Sequence, residues 1–299
     1  MVDYPFVIRP EVHDALESHQ PLVALETAVL THGLPYPDNI ETMTHMAQEV
    51  RKSGAIPAVI GLKQGEVVVG LESPEWEEIL IEPEKCSLRD LAPAVMRGKN
   101  GGTTVALTAY VAHRAGIRAF ATGGIGGVHR GAQDTWDISA DLYAMHTLPV
   151  IIVSSGAKSI LDIPKTLEFL ESLGVPVVGY RTPEVPGFYV STTGHAVSTT
   201  VQHPKEVAEM HRVMQSVGMQ QALLLVQPGP LPVDSSLVES LIAQALKAAA
   251  REHVSGKAMT PFMLGYLNQE AGDILKRSNI ALLIANAALA GEVAVTLYA

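Results

Sequence analysis

Short apolar segments of strand length alternate along this chain with segments of helical period, and that alternation most narrows what the chain can become. Ile117 to Thr122, Pro149 to Val153, Pro176 to Tyr180 and Ala222 to Gln227 read as strands, each rich in β-branched residues or Leu and bounded by Gly, Pro or Ser. From Ser236 onward, Leu237, Val238, Leu241, Ile242, Ala245 and Leu246 recur on one helical face, and Ser236 and Glu239 have capping-box spacing. A second helix is expected from Pro204 to about Gly218, and Thr260 followed by Pro261 reads as a cap and first helical residue. The pattern predicts an α/β fold in which helices cover a mostly parallel sheet. Composition suits it: 47% of residues are hydrophobic but only 5% aromatic, so the core must be built from Ala, Val, Leu and Ile.

Neither internal repeats nor a low-complexity linker divides the 299 residues, so residues 1–299 read as a single domain. The stretch from Pro183 to Pro204, rich in Pro, Ser, Thr and Gly, is the least regular and is expected to be an excursion lying over the site. From Asn279 to Ala299 the chain is apolar enough to suggest a membrane span, but Asn279, Asn286 and Glu292 interrupt it and Ala dominates, so a buried terminal helix is expected. One cysteine, Cys86, forms no internal disulfide, and no basic segment followed by an apolar one opens the chain, which makes the cytoplasm the expected location. With 31 acidic against 21 basic residues and no dense Lys/Arg cluster, the chain is not expected to bind nucleic acid. A local pocket of Lys, Arg and backbone N–H groups can still hold a small anion.

The densest chemistry lies in GIRAFATGGIGGVHRGAQDTWDISAD, residues 116–141, where a strand ends in four glycines within five residues and then in His, Arg and three aspartates. Glycines allow close approach of backbone N–H groups to an oxyanion and allow positive φ, so the loop reads either as a phosphate nest or as a tight turn without a ligand. Known phosphate motifs fail here: a dinucleotide fingerprint starting at Gly124 needs glycine where His129 stands, and a P-loop ending at Lys158 needs glycine at Ala157 and Ile151. Asp134, Asp137 and Asp141 are spaced so that, if Asp137 to Leu142 begins a helix, Asp137 and Asp141 share a face. They then read either as hard oxygen ligands for Mg²⁺ or Mn²⁺, or as solvated acids favourable to a helix start.

Lys158 stands beyond the strand Pro149 to Val153 and the turn SSG, where α/β sites form. A partly desolvated lysine there can act as a neutral amine on a sugar carbon, although most lysines are simply solvated. Glu26 intrudes into the apolar run PLVALETAVLTHG; burial would make it a general acid, and the alternative is a carboxylate capping backbone N–H groups. His32, Tyr36 and Asn39 in THGLPYPDN suit either polar contacts to a ligand or a Pro-rich turn, and Lys85 and Arg89 are candidate phosphate binders. Cys86 reads as a small buried hydrophobe.

Taken together, the blocks ALETAVLTHGLPYP, KCSLRDL, GGTTVALT, FATGGIGGVHRGA with WDISADL, SGAKSILDIPKTLEFLESLGVPVVGY, TPFML and NIALLIANAALA resemble pseudouridine-5′-phosphate glycosidases from about Leu22 to Ala290. The resemblance implies a three-layer α/β/α enzyme with a mostly parallel central sheet, a homotrimer that reversibly converts pseudouridine 5′-phosphate to uracil and ribose 5-phosphate with a divalent metal such as Mn²⁺. It makes Glu26 the proton donor, Lys158 the nucleophile and Asp137 the metal ligand. Lys85, Val105, Ser139, Ala140 and Asp141 would contact substrate, and Asn279 would be a further polar group of the site. One departure is visible: after ALLLV the chain reads QPGP, so Gln227 stands where the family has the shorter amide of an Asn-Pro pair. A lysine-dependent aldolase or other sugar-phosphate lyase is the competing enzyme reading, and a non-enzymatic phosphosugar-binding module the third.

Overall fold

The computed structural model describes residues 6–254 and 258–298. Eleven strands form one sheet: β1 (Phe6–Ile8), β2 (Leu22–Glu26), β3 (Ile56–Lys63), β4 (Glu66–Val69), β5 (Glu84–Cys86), β6 (Gly101–Thr103), β7 (Ala119–Ala121), β8 (Ile151–Ser154), β9 (Val177–Tyr180), β10 (Thr199–Val201) and β11 (Leu223–Val226). Their order is β1-β4-β3-β2-β7-β8-β11-β9-β10, with β6 pairing β3 and β5 to the side. From β3 across β2 to β10 every pairing is parallel; only β3–β4 and β3–β6 run antiparallel. Strands buried on both faces have no need of alternation, which is why β2 reads as the unbroken apolar run LVAL before its terminal glutamate.

The helices are α1 (Pro10–Glu17), α2 (Asp38–Lys52), α3 (Ser73–Glu78), α4 (Leu91–Met96), α5 (Val105–Ala115), α6 (Ala132–Thr135), α7 (Ala140–Thr147), α8 (Ile163–Ser172), α9 (Pro204–Ser216), α10 (Ser235–Arg251), α11 (Met259–Ala271) and α12 (Asp273–Tyr298). On one side α12 lies on β2, β7 and β8 and packs against α2 and α9; on the other, α5 and α7 pack together and α5 lies on β2 and β3. The result is the three-layer α/β arrangement expected. Although long and apolar enough to cross a membrane, α12 buries Leu275, Leu282, Leu283, Ala287, Ala290, Val293 and Ala294 against these neighbours, as a core helix does.

Several boundaries differ from the sequence reading. The cap of α10 is Asp234, whose carboxylate accepts the Leu237 N–H at 3.0 Å; Ser236 lies inside the first turn and Glu239 turns outward to Arg130. Helix α9, by contrast, runs as expected from Pro204 to Ser216, with Val217 as its C-cap and Gly218, at φ +79°, as its stop. Thr260 and Pro261 sit within the first turn of α11, where a missing N–H costs nothing, and not at its cap. Asp137 precedes its helix: α7 begins at Ala140 with Ser139 as cap, the serine Oγ accepting the Asp141 N–H at 3.2 Å. Residues 183–204 end in the edge strand β10 and reach the site only through Phe188.

Candidate active site

Parallel strands that run the same way end at one edge, and the loops leaving that edge enclose a cavity of about 500 Å³. All nine residues that the family resemblance assigns to the site, Glu26, Lys85, Val105, Asp137, Ser139, Ala140, Asp141, Lys158 and Asn279, line it. So do His32, Arg89, Thr104, Thr122, His129 and Phe188. Tyr36 does not: it is exposed, while Asn39 is buried with its amide donating to the Leu30 carbonyl at 2.7 Å. Asp134 lies outside the cavity beside Gln133.

Glu26 ends β2 and is 5% exposed. Burial raises its carboxyl pKa above the ordinary 4.5 and outweighs the Lys158 ammonium, the Thr122 hydrogen bond and Lys85, which pull it down. A carboxyl whose pKa is raised this way is suited to donate a proton. Lys158 is half-buried on the turn that leaves β8, its N–H donating to the Ile125 carbonyl at 3.1 Å. That turn needs Gly156, which has φ +82° and whose missing Cβ would collide with the Pro186 carbonyl. Lys85, on β5, is pushed below its ordinary pKa by burial and then by the Lys158 ammonium. Burial likewise holds His129 below the usual imidazole value against the pull of Asp137, whose Oδ2 lies 3.9 Å from its Nδ1.

Asp141 is buried, and its two oxygens accept the N–H groups of Ala106 at 2.9 Å and Gly126 at 2.8 Å. It therefore joins the glycine loop to the start of α5, and it does not share a helix face with Asp137. None of the four loop glycines has a positive φ. They permit close approach by the protein itself: a Cβ at Gly124 would lie 2.5 Å from the Phe188 ring, and one at Gly126 would strike Ser139 and Asp141. The Gly126 N–H is spent on Asp141, while Gly123, Gly124 and Gly126 line the cavity together with the cations Lys85, Arg89 and Lys158.

Three residues escaped the sequence reading. Thr122 Oγ donates a hydrogen bond to Glu26. His129 stands among the charges just described. Asn286, fully buried on α12, donates to the Thr122 carbonyl at 2.9 Å and to Ser155 Oγ at 3.2 Å, which ties the ends of β7 and β8 together. Its signal was an amide inside an apolar run. Gln227 lies outside the cavity lining and donates to Asn286 Oδ1 at 3.1 Å and to the Ala285 carbonyl at 3.0 Å, so the departure at this position braces α12.

Residues 11–296 match the family model for indigoidine synthase A-like proteins. The chain is 44% identical over 292 residues to a pseudouridine-5′-phosphate glycosidase of Saccharopolyspora erythraea, covering 96% of each. Among solved structures it superimposes on an indigoidine synthase A-like protein of Thermotoga maritima with a TM-score of 0.90 at 35% identity, covering 98% of this chain and 97% of that one. The prealnumycin C-glycosynthase AlnA, solved in complex with ribulose 5-phosphate, superimposes with a TM-score of 0.90 at 37% identity and the same coverage. With these likenesses running nearly end to end, the chain is an enzyme of the glycosidase or lyase type and belongs to the pseudouridine-5′-phosphate glycosidase family.

Proposed function

We propose that the protein reversibly cleaves the carbon–carbon glycosidic bond of pseudouridine 5′-phosphate to give uracil and ribose 5-phosphate. One observation carries the reading: Glu26, its carboxyl pKa raised by burial, and Lys158 reach one cavity from the ends of β2 and β8. A C–C glycoside has no leaving oxygen or nitrogen to protonate, so direct hydrolysis is hard and an amine offers another route.

In the proposed sequence, Lys158 Nζ attacks C1′ while the C1′–O4′ bond breaks and O4′ takes a proton from Glu26. The open-chain adduct still carries uracil at C1′. The adduct nitrogen returns its surplus proton to the Glu26 carboxylate, and the freed lone pair forms a C=N bond as the C1′–C5 bond breaks and C5 of the base takes up that proton, which releases uracil. Water adds to the resulting Schiff base and frees ribose 5-phosphate and Lys158. Lys85 and Arg89 hold the anionic end of the substrate, with Val105, Ser139, Ala140, Asp141 and Asn279 as its further contacts.

Among the described residues no three His, Cys, Asp or Glu side chains gather to cage a metal. Asp137 offers one half-buried carboxylate to the cavity, which fits a Mg²⁺ or Mn²⁺ ion held by one protein ligand with water and substrate oxygens completing its shell. Such an ion would supply charge neutralisation beside the phosphorylated sugar. Family membership also supports a homotrimer, which light scattering of the purified protein would test.

Incubation with pseudouridine 5′-phosphate and Mn²⁺, with and without chelator, should release uracil, faster with the metal. No uracil under either condition would remove the proposal, and carbon–carbon cleavage of other sugar phosphates without uracil would favour the lysine-dependent aldolase. Borohydride with ribose 5-phosphate should label Lys158; a fully active Lys158→Ala variant would sink the mechanism.

A further inference from the structure

The turn that presents Lys158 is clamped from outside the cavity. Its carbonyl at Lys158 accepts the Leu161 N–H at 3.0 Å, closing the turn internally. The outward carbonyls of Ser159 and Leu161, in buried residues, both meet one side chain: Arg130 Nη2 donates to Ser159 at 3.3 Å and Nε to Leu161 at 3.3 Å. Two further donations from the same guanidinium, at 2.9 and 2.8 Å, go to the Glu239 carboxylate on α10. Helix α10 packs on α11, whose Thr260, Pro261 and Leu264 form part of the cavity wall.

From this geometry we infer that Arg130 is a positioning residue for Lys158, coupling the turn that bears the amine to the α10–α11 hairpin through Glu239. The inference rests on Lys158 acting as the nucleophile. The planar guanidinium is what allows one group to reach two carbonyls and a carboxylate at once, so an ammonium can replace it only in part. Removal leaves the two carbonyls without their donor and frees the turn to shift, and a displacement of about 1 Å at a reacting group is enough to cost on the order of 100-fold in rate.

The test uses Arg130→Met, Arg130→Lys and Glu239→Gln in the full chain. Arg130→Met should melt cooperatively and keep its KM, while kcat for uracil release and the rate of borohydride trapping with ribose 5-phosphate both fall about 10- to 100-fold. Arg130→Lys should recover part of the loss, and Glu239→Gln should show a smaller one. The rate at which acetic anhydride labels Lys158, read against exposed Lys165 by peptide mass spectrometry, should change severalfold in Arg130→Met without any turnover. Wild-type trapping rates in that variant, or an unchanged labelling ratio, would overturn the inference. A wild-type protein that borohydride never traps would instead remove the nucleophile itself, and the labelling ratio would still decide whether Arg130 sets the position of Lys158.

Discussion

Thr122 Oγ, fully buried at the end of β7, donates its hydrogen bond to Glu26 Oε1 at the end of the neighbouring strand β2. The bond occupies one carboxyl oxygen and so leaves the other to carry the transferable proton toward the cavity. Thr122→Val should fold, because the swap conserves shape, but lower kcat about 10-fold or more by loosening the donor. The lost bond was also holding the Glu26 pKa down, so the alkaline limb of the rate profile should move to higher pH. Thr122→Ser should behave like the wild type, and steady-state kinetics across pH distinguish the three.

Because burial raises the Glu26 pKa above 4.5, the protonated donor persists to higher pH than at a surface glutamate. kcat/KM should hold below the raised pKa and fall as pH rises through it. Glu26→Gln should lose about 100- to 10,000-fold and lose this limb as well; a limb that survives in the residual activity belongs to another group. The same group favours the folded state fully below its ordinary 4.5, and that contribution disappears as pH rises through the folded value.

Asp141 should matter to the fold as much as to the substrate. In Asp141→Asn the side-chain amide presents donors to two N–H groups that now donate to a carboxylate. One of them must lose its partner, which costs about 1–3 kcal/mol. Thermal unfolding should show a lower melting temperature, and an unchanged one would refute the bracing role.

His211, buried on α9 with no partner for Nδ1 among the described residues, has its pKa lowered to about 4 by burial and then by Arg118. An imidazole so depressed stabilises the fold above its ordinary 6.5, and that stability is lost as pH falls from there toward about 4. The slope is at most about 1.4 kcal/mol per pH unit from this one group. Denaturant unfolding of wild type and His211→Gln between those limits should show the slope only in the wild type.

Local pattern alone made the architecture legible, because strands buried on both faces must be continuous apolar runs and the helices between them must carry an apolar stripe. It also exposed Glu26 as a carboxylate in an apolar run and Lys158 as a lysine beyond a strand end, and the long family-like blocks assembled the rest of the proposed site. What the sequence could not decide is which groups meet across it. Which of Asp134, Asp137 and Asp141 reach the cavity depended on where α7 begins: Ser139 caps it, so Asp141 enters from the helix and Asp137 from the loop before it, while Asp134 stays outside. How closely the glycines of the loop meet the protein's own side chains depended on Phe188, Ser139, Asp141 and Thr166 arriving from other segments. The partnerships of Thr122 with Glu26 and of Arg130 with Ser159, Leu161 and Glu239 join residues remote in the chain. Such contacts exist only once the strands have lined up and the helices have closed over them, since no local periodicity encodes the partner of a side chain.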